Sequence, residues 1–483
     1  MQSYREIIMK LLSICLIVFL SGCVTTHFPV TENYQKKTIA ELQLPKIFSN
    51  NMVLQQNAEV KIWGNDTPNT AISVKASWGE AAMVTSDGKG HWSLTISTPS
   101  ATTDQQLVIS GSSKQTINNI NLGEVWLCSG QSNMEMPVKG VINQPVAGSL
   151  EAILNSKNNE ISLFTVERKP SLIPLTDVNG QWKKAAPGSV SNFSAACYFF
   201  GKKLHDVIKV PVGLIATSWG GSTAEAWTPE ATLQKLKYVS LDSEISKKPQ
   251  HTTMALYNGM IHPLVGYKLK GFTWYQGEQN HTRAEQYKTL FPAMISSWRD
   301  AWQDASLPFY FTQIAPFNYN TQTNSAYLRE AQLETMVKVE NSGMAVTLDI
   351  GECKRIHPKF KRPVGERLAY WALAKDYKVP AIAYSGPVYR YMKATGNRVE
   401  LNFSHAKLGL DSMNKHVAGF EVAGEDKIFH PADSKVIGRG PIQVWSEQVD
   451  KPVAVRYAFS NCPEASLFGT NGLPASSFRT DNW

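Results

Sequence analysis

No two cysteines in this chain are spaced CxxC, so the usual framework for a structural zinc or a dithiol redox centre is missing. The six cysteines, Cys15, Cys23, Cys128, Cys197, Cys353 and Cys462, are scattered. Metal binding is therefore not expected. Long basic runs are also missing. The densest stretch is Lys359-Phe360-Lys361-Arg362, and the formal net charge of +8 is otherwise spread along the chain. With no basic stripe interleaved with aromatics, nothing supports a nucleic-acid partner. The longest apolar run is shorter than a comfortable membrane span. Internal repeats and low-complexity segments are absent. What remains is the composition of a folded globular protein, 43% hydrophobic and 18% charged. At 483 residues it is long enough for two or three domains.

The N-terminus reads as an address. Lys10 precedes the apolar run Leu11 to Leu20, and Ser21-Gly22-Cys23 closes it. A charged start, an apolar core and small residues are the plan of a secretory signal. Leu20-Ser21-Gly22-Cys23 resembles a bacterial lipobox, which makes Cys23 a lipidation site and the expected mature N-terminus. The expectation is a signal peptide over 1–22, a polar tether over 23–41 and an exported, membrane-anchored lipoprotein. Export permits disulfides among the four remaining cysteines, but their spacing selects no pairing.

Residues 42–120 alternate in short strands separated by turn clusters such as Asn65-Asp66-Thr67-Pro68, as in a β-sandwich or jelly-roll. From 121 to 376, apolar strand-like runs alternate with helical stretches, which argues a mostly parallel sheet covered by helices. The expected strands are Val125 to Cys128, Ile161 to Val166, Val212 to Ser218, Leu269 to Tyr275, Phe309 to Ile314 and Ala345 to Asp349. Helices are expected over Ala195 to Ile208 and Glu285 to Ala301. Residues 377–465 return to strands, with Ala381 to Tyr384, Arg398 to Phe403, Ile442 to Trp445 and Pro452 to Phe459. The tail, 466–483, shows no regular period.

The stretch Gly123 to Pro137, GEVWLCSGQSNMEMP, organises the rest. A strand-like run breaks at Ser129-Gly130, and Gln131-Ser132-Asn133 opens a helix. A serine there projects beyond the carboxyl edge of a sheet, where open α/β folds bind ligands. The helix N-terminus supplies free N–H groups suited to an oxyanion. Serine and asparagine also serve simply as caps and turn formers at such positions. Polar or glycine-rich residues recur at other strand ends: Gly220-Gly221, Gln276 to Asn280, and Asp349 with His357 beyond it. Four such clusters on one edge make a constellation. Serine needs a base. His357, fixed by Pro358, is the leading candidate, His262 competes with it, and His205 reads as packing within a helix.

GEVWLCSGQSNMEMP, LIATSWGGSTAEAWTP, ALYNGMIHPL, KGFTWYQGEQN, DIGECKRIHPKFKRPVGERLA and PVAVRYAFSN resemble the sialate O-acetylesterase family of SGNH (GDSL-like) hydrolases. The resemblance runs from about Leu42 to Trp483. It implies an α/β fold, a flavodoxin-like α/β/α sandwich with accessory β elements, and a serine esterase acting on O-acetylated sugars, foremost sialic acids, without a cofactor. It implies Ser132 as nucleophile and His357 as base. The oxyanion hole would use the Ser132 amide, Gly220 or Gly221, and a side-chain amide, Gln276 or else Asn280. SGNH enzymes commonly carry an aspartate two or three residues before the histidine. Here those positions are Arg355 and Lys354, which cannot accept the Nδ1–H. Asp349 or Glu352 is then expected to reach back, or the site is a dyad. Trp219, Trp227, Trp274 and Tyr275 are candidate sugar-lining rings. Three other readings compete: an acetylxylan-type esterase, a glycosidase built on Glu225 and Glu278, and a non-catalytic sugar-binding lipoprotein.

Overall fold

The computed structural model describes residues 41–412 and 417–483. The expected signal, the tether and Cys23 lie outside the described residues.

A single strand, Lys114–Gly130, runs through two layers of the fold. Its first half pairs antiparallel with Thr102–Ser110 in the N-terminal β layer. Its second half is the central strand of a parallel sheet. The boundary expected between residues 120 and 121 thus falls inside one continuous strand, which joins the two layers rigidly. In the N-terminal layer Ala58–Asn65 pairs with His91–Thr98, and Ala71–Ala76 pairs with Ala81–Thr85 and Thr102–Ser110. Strict alternation sends Val60, Ile62, Trp92, Leu94 and Ile96 inward with Ile72, Val74, Leu107 and Ile109. This is the sandwich that the sequence suggested.

The parallel sheet runs in the order Ser342–Ala345, Phe309–Thr312, Gly271–Tyr275, Lys114–Gly130, Val212–Ser218, Asn158–Thr165, with Trp182–Ala185 antiparallel at one edge. Both faces are covered, so its strands read as continuous apolar runs. The two-residue period divides them. Val125 and Leu127 join the core beneath helices Ala284–Ala301 and Ala326–Lys338. Trp126 and Cys128 face the other core, beneath Ala195–Ile208 and Lys361–Lys375. Helices on both faces complete the α/β/α sandwich. From the central strand the chain first builds one side of the sheet and then crosses to the other. The carboxyl ends of Lys114–Gly130 and Gly271–Tyr275 therefore flank a topological switch point.

Two expected strands differ. Ala345 to Asp349 is displaced, because the strand is Ser342–Ala345 and Thr347 to Ile350 already turn. Ala381 to Tyr384 is not a strand, and Ala381 has a φ of 59°. The tail is more regular than its sequence suggests. Phe478–Arg479 pairs with Ala454–Tyr457, and Phe468–Gly469 pairs with Leu410–Asp411. Strands of two residues are too short to carry a period.

Two disulfides form, Cys128–Cys197 and Cys353–Cys462. The first ties the central strand to the helix packed on it. The second spans 109 residues and anchors the loop carrying His357 to the C-terminal β element. In the chain-entropy account, closing a loop of that length stabilises by about 4–5 kcal/mol.

Candidate active site

Gly130 turns the central strand with a φ of 141°. A Cβ there would lie 2.2 Å from the Tyr275 carbonyl oxygen, so only glycine fits. Gln131 follows, its amide donating to Tyr275 O at 3.0 Å. Its side-chain oxygen accepts from the amides of Gly277 and Gln279. The turn is thereby fastened to the next strand, and Ser132 begins the short helix Ser132–Glu135. The first N–H groups of a helix have no intrahelical acceptor, so the Ser132 and Asn133 amides stand outside the helix ladder.

His357 stands over this serine. Its Nε2 lies 2.7 Å from Ser132 Oγ. Both line one cleft of about 550 Å³, with Glu135, Met136, Arg168 and Ser218 among its walls. Burial, with the Lys361 ammonium nearby, pushes the imidazole down to about 4. At neutral pH it is an uncharged base facing a hydroxyl.

The group behind His357 is not a carboxylate. Gln144 Oε1 contacts Nδ1. Asp349 instead forms a bidentate pair with Arg367, at 2.7 and 2.6 Å. Glu352 accepts from the Lys359 amide at 3.1 Å, back within its own loop. Neither reaches the histidine. Gln144 sits in a tight turn closed by reciprocal backbone bonds with Val141, and Ala147 N donates to Lys359 O at 2.9 Å. The glutamine loop is thus pinned to the histidine loop. Sequence offered no signal for Gln144, a neutral residue in an irregular loop without a motif.

The expected oxyanion set divides. Gly220 lies against the serine, where an added Cβ would be 3.4 Å from Ser132 Cβ. Its N–H donates to Glu135 Oε2 at 2.8 Å. Gly221 adopts a φ of 72° and shapes that turn. Gln276 and Asn280 are buried beneath the site and occupied with each other. Gln276 Nε2 donates to Asn280 Oδ1 at 2.7 Å and to Ser222 O at 3.1 Å. Asn280 Nδ2 donates to Glu225 Oε2 at 2.9 Å. Both brace the sheet edge, and Gln276 has both of its side-chain N–H groups engaged there. Their place was legible, but their direction was not.

Glu225 is further held by Arg283 at 2.9 Å, and Glu278 by Asn133. Neither carboxylate lines the cleft, which removes the basis for a glycosidase pair. Trp227, Trp274 and Tyr275 are wholly buried core residues. Trp219 alone is part-exposed, and Arg168 lies over it at 5.3 Å. His262 bonds Leu175 O and His205 bonds Val210 O, both away from the serine. Among the described residues no cluster of three or more His, Cys, Asp or Glu side chains is arranged for a metal ion.

The family model described as "Carbohydrate esterase, sialic acid-specific acetylesterase" matches residues 122–373. The chain is similar to sialate O-acetylesterase of Homo sapiens, 29% identical over 399 residues, covering 74% of this chain and 75% of that one. The Pongo abelii enzyme is 30% identical over the same length, with the same coverage. Among solved structures, a novel carbohydrate acetylesterase from Xanthomonas citri is 34% identical, with a TM-score of 0.85, covering 92% of this chain and 100% of that one. The match spans the sheet, the serine turn and the histidine loop together, and the chain belongs to the sialic acid-specific acetylesterase family of carbohydrate esterases.

Proposed function

We propose that this protein removes O-acetyl groups from sialic acids through an acetyl-serine intermediate. Family membership makes it a carboxylic ester hydrolase of acetylated sugars. The observation that carries the mechanism is the hydrogen-bonded chain Ser132–His357–Gln144, whose first two members line the cleft. Ser132 Oγ attacks the acetyl carbonyl while His357 Nε2 takes its proton. Gln144 holds the Nδ1–H tautomer, which keeps the Nε2 lone pair aimed at the hydroxyl. The Ser132 amide, and the Gly220 amide once Glu135 yields it, face the developing oxyanion. His357 then protonates the leaving sugar hydroxyl, and water repeats the sequence on the acetyl-serine.

Arg168 supports the sialic acid reading. Its guanidinium lines the same cleft as Ser132, half-exposed, with Glu135 on one side. An exposed guanidinium suits a sugar carboxylate. Arg168→Met is expected to raise KM for O-acetylated sialic acid about tenfold or more, the scale of one charged hydrogen bond. KM for acetylated xylan should stay unchanged. Acetate release from both substrates measures this, and equal effects on the two would reject the carboxylate contact. A neutral acetylated polysaccharide is the second reading, since likeness to the Xanthomonas citri carbohydrate acetylesterase, at 34% identity, supports a sugar ester without selecting the sugar. Acetate released from xylan but not from sialic acid would select that reading.

The proposal extends to location, an exported protein anchored by lipid on Cys23. The apolar run before Cys23 and the two disulfides support it. Cells fed labelled palmitate should label the full chain, and Cys23→Ser should abolish the label. Unchanged labelling would sink the assignment.

A further inference from the structure

Beneath the serine lies a buried polar chain that the esterase chemistry does not itself require. Lys361, 1% exposed, donates from Nζ to Asn133 Oδ1. Asn133, wholly buried, donates from Nδ2 to Glu278 Oε1 at 2.5 Å and to the Ile356 carbonyl at 3.0 Å. Asn133 follows the nucleophile directly, and Ile356 directly precedes the base. Glu278 follows the strand to which the serine turn is fastened. One amide side chain therefore joins the three segments that build the site. Lys361, the first residue of helix Lys361–Lys375, terminates the chain.

A lone ammonium or carboxylate in such a place costs several kcal/mol. A purely structural brace would be built more cheaply from apolar side chains. We propose that Lys361 is a positioning residue, which through Asn133 locks the serine turn to the histidine loop. The inference rests on the Ser132–His357 mechanism above.

The charge argument follows from what surrounds Lys361. Its amine faces Glu278 from the strand end, Glu352 and His357 from the preceding loop, and the Tyr275 ring at 5.6 Å. Glu352 is also engaged by Lys359, at 3.8 Å. Burial pushes Lys361 down to about 7 and pushes the Glu278 carboxyl up. Below pH 7 the ammonium is present, and it opposes a second positive charge on His357. Removing it makes His357 easier to protonate, so the acid limb of the rate profile must move to higher pH.

The test is the pH dependence of kcat/KM on 4-nitrophenyl acetate, run on the full chain with Ser132→Ala as control. Lys361→Met is expected to lower kcat about tenfold or more with KM within about twofold, and to raise the acid limb by about one pH unit. Asn133→Ala keeps the charge and breaks the strut. It should lower kcat similarly and leave the limb within about half a unit of the parent. This second variant decides the strut if Lys361→Met does not fold. An unmoved limb and unchanged kcat in Lys361→Met, or unchanged kcat in Asn133→Ala, would overturn the proposal. Activity retained by Ser132→Ala would instead reject the underlying mechanism, so the two failures are distinct.

Discussion

Replacing Ser132 by alanine is expected to lower kcat by about 10⁴ to 10⁶, the scale found when a serine nucleophile is removed from a preorganised site. The substitution deletes one oxygen and keeps the Cβ, so the turn that carries it should survive. That turn is held by Gly130, by the Gln131 amide on Tyr275 O and by the Gln131 side chain, none of which involves Oγ. Thermal unfolding should therefore match the parent while acetate release disappears. His357→Ala should give a loss of the same order, because a serine hydroxyl without its base is a weak nucleophile. The double variant should be no worse than either single variant, since residues acting as one unit are not additive. Multiplicative losses would show that the 2.7 Å contact is not the working pair. Activity near the parent level in Ser132→Ala would reject the acyl-serine route altogether.

Sequence carried the parallel sheet well, because strands buried on both faces are short and uniformly apolar. Val212–Ser218 and helix Ala195–Ile208 agree with expectation residue for residue. The strand before Asp349 was displaced because Val346, Thr347 and Leu348 are apolar or β-branched yet lie beyond the end of the sheet. Ser132 and His357 were legible through the family motifs; the strand-end pattern alone placed a serine at the sheet edge and left His262 competing with His357. Gln276 and Asn280 were legible only as residues of that edge. Whether an amide points into the cleft or down into the core depends on partners such as Ser222, Tyr287 and Glu225, which lie from 11 to 55 residues away. The disulfides were open for a related reason, since loops of 69 and 109 residues impose almost no pairing preference of their own.

Gln144 is where the site departs most from a carboxylate triad. A neutral amide can fix the imidazole tautomer, but it offers no negative charge to the imidazolium formed in the transition state. That agrees with a histidine held down near 4 by burial. Two substitutions separate these roles. Gln144→Leu removes the acceptor and should lower kcat by about 10² to 10⁴, the upper bound being the loss seen when a triad aspartate becomes an amide. Gln144→Glu keeps an acceptor and adds a charge. It should raise the His357 pKa by about 1–3 units, the usual effect of an adjacent opposite charge. Because kcat/KM reports ionisations of the free enzyme, the acid limb should move upward from about 4 by the same amount. The sign is set by which form reacts. The unprotonated imidazole is the base, so raising its pKa removes activity at acid pH first. The parent should therefore outperform Gln144→Glu near pH 5, and the gap should close or reverse above pH 7 as the stronger base pays back in proton transfer. A Gln144→Leu variant within about threefold of the parent at every pH would mean that His357 is held by its loop alone, through Pro358 and the bond from Ala147 to Lys359, and that the site works as a dyad.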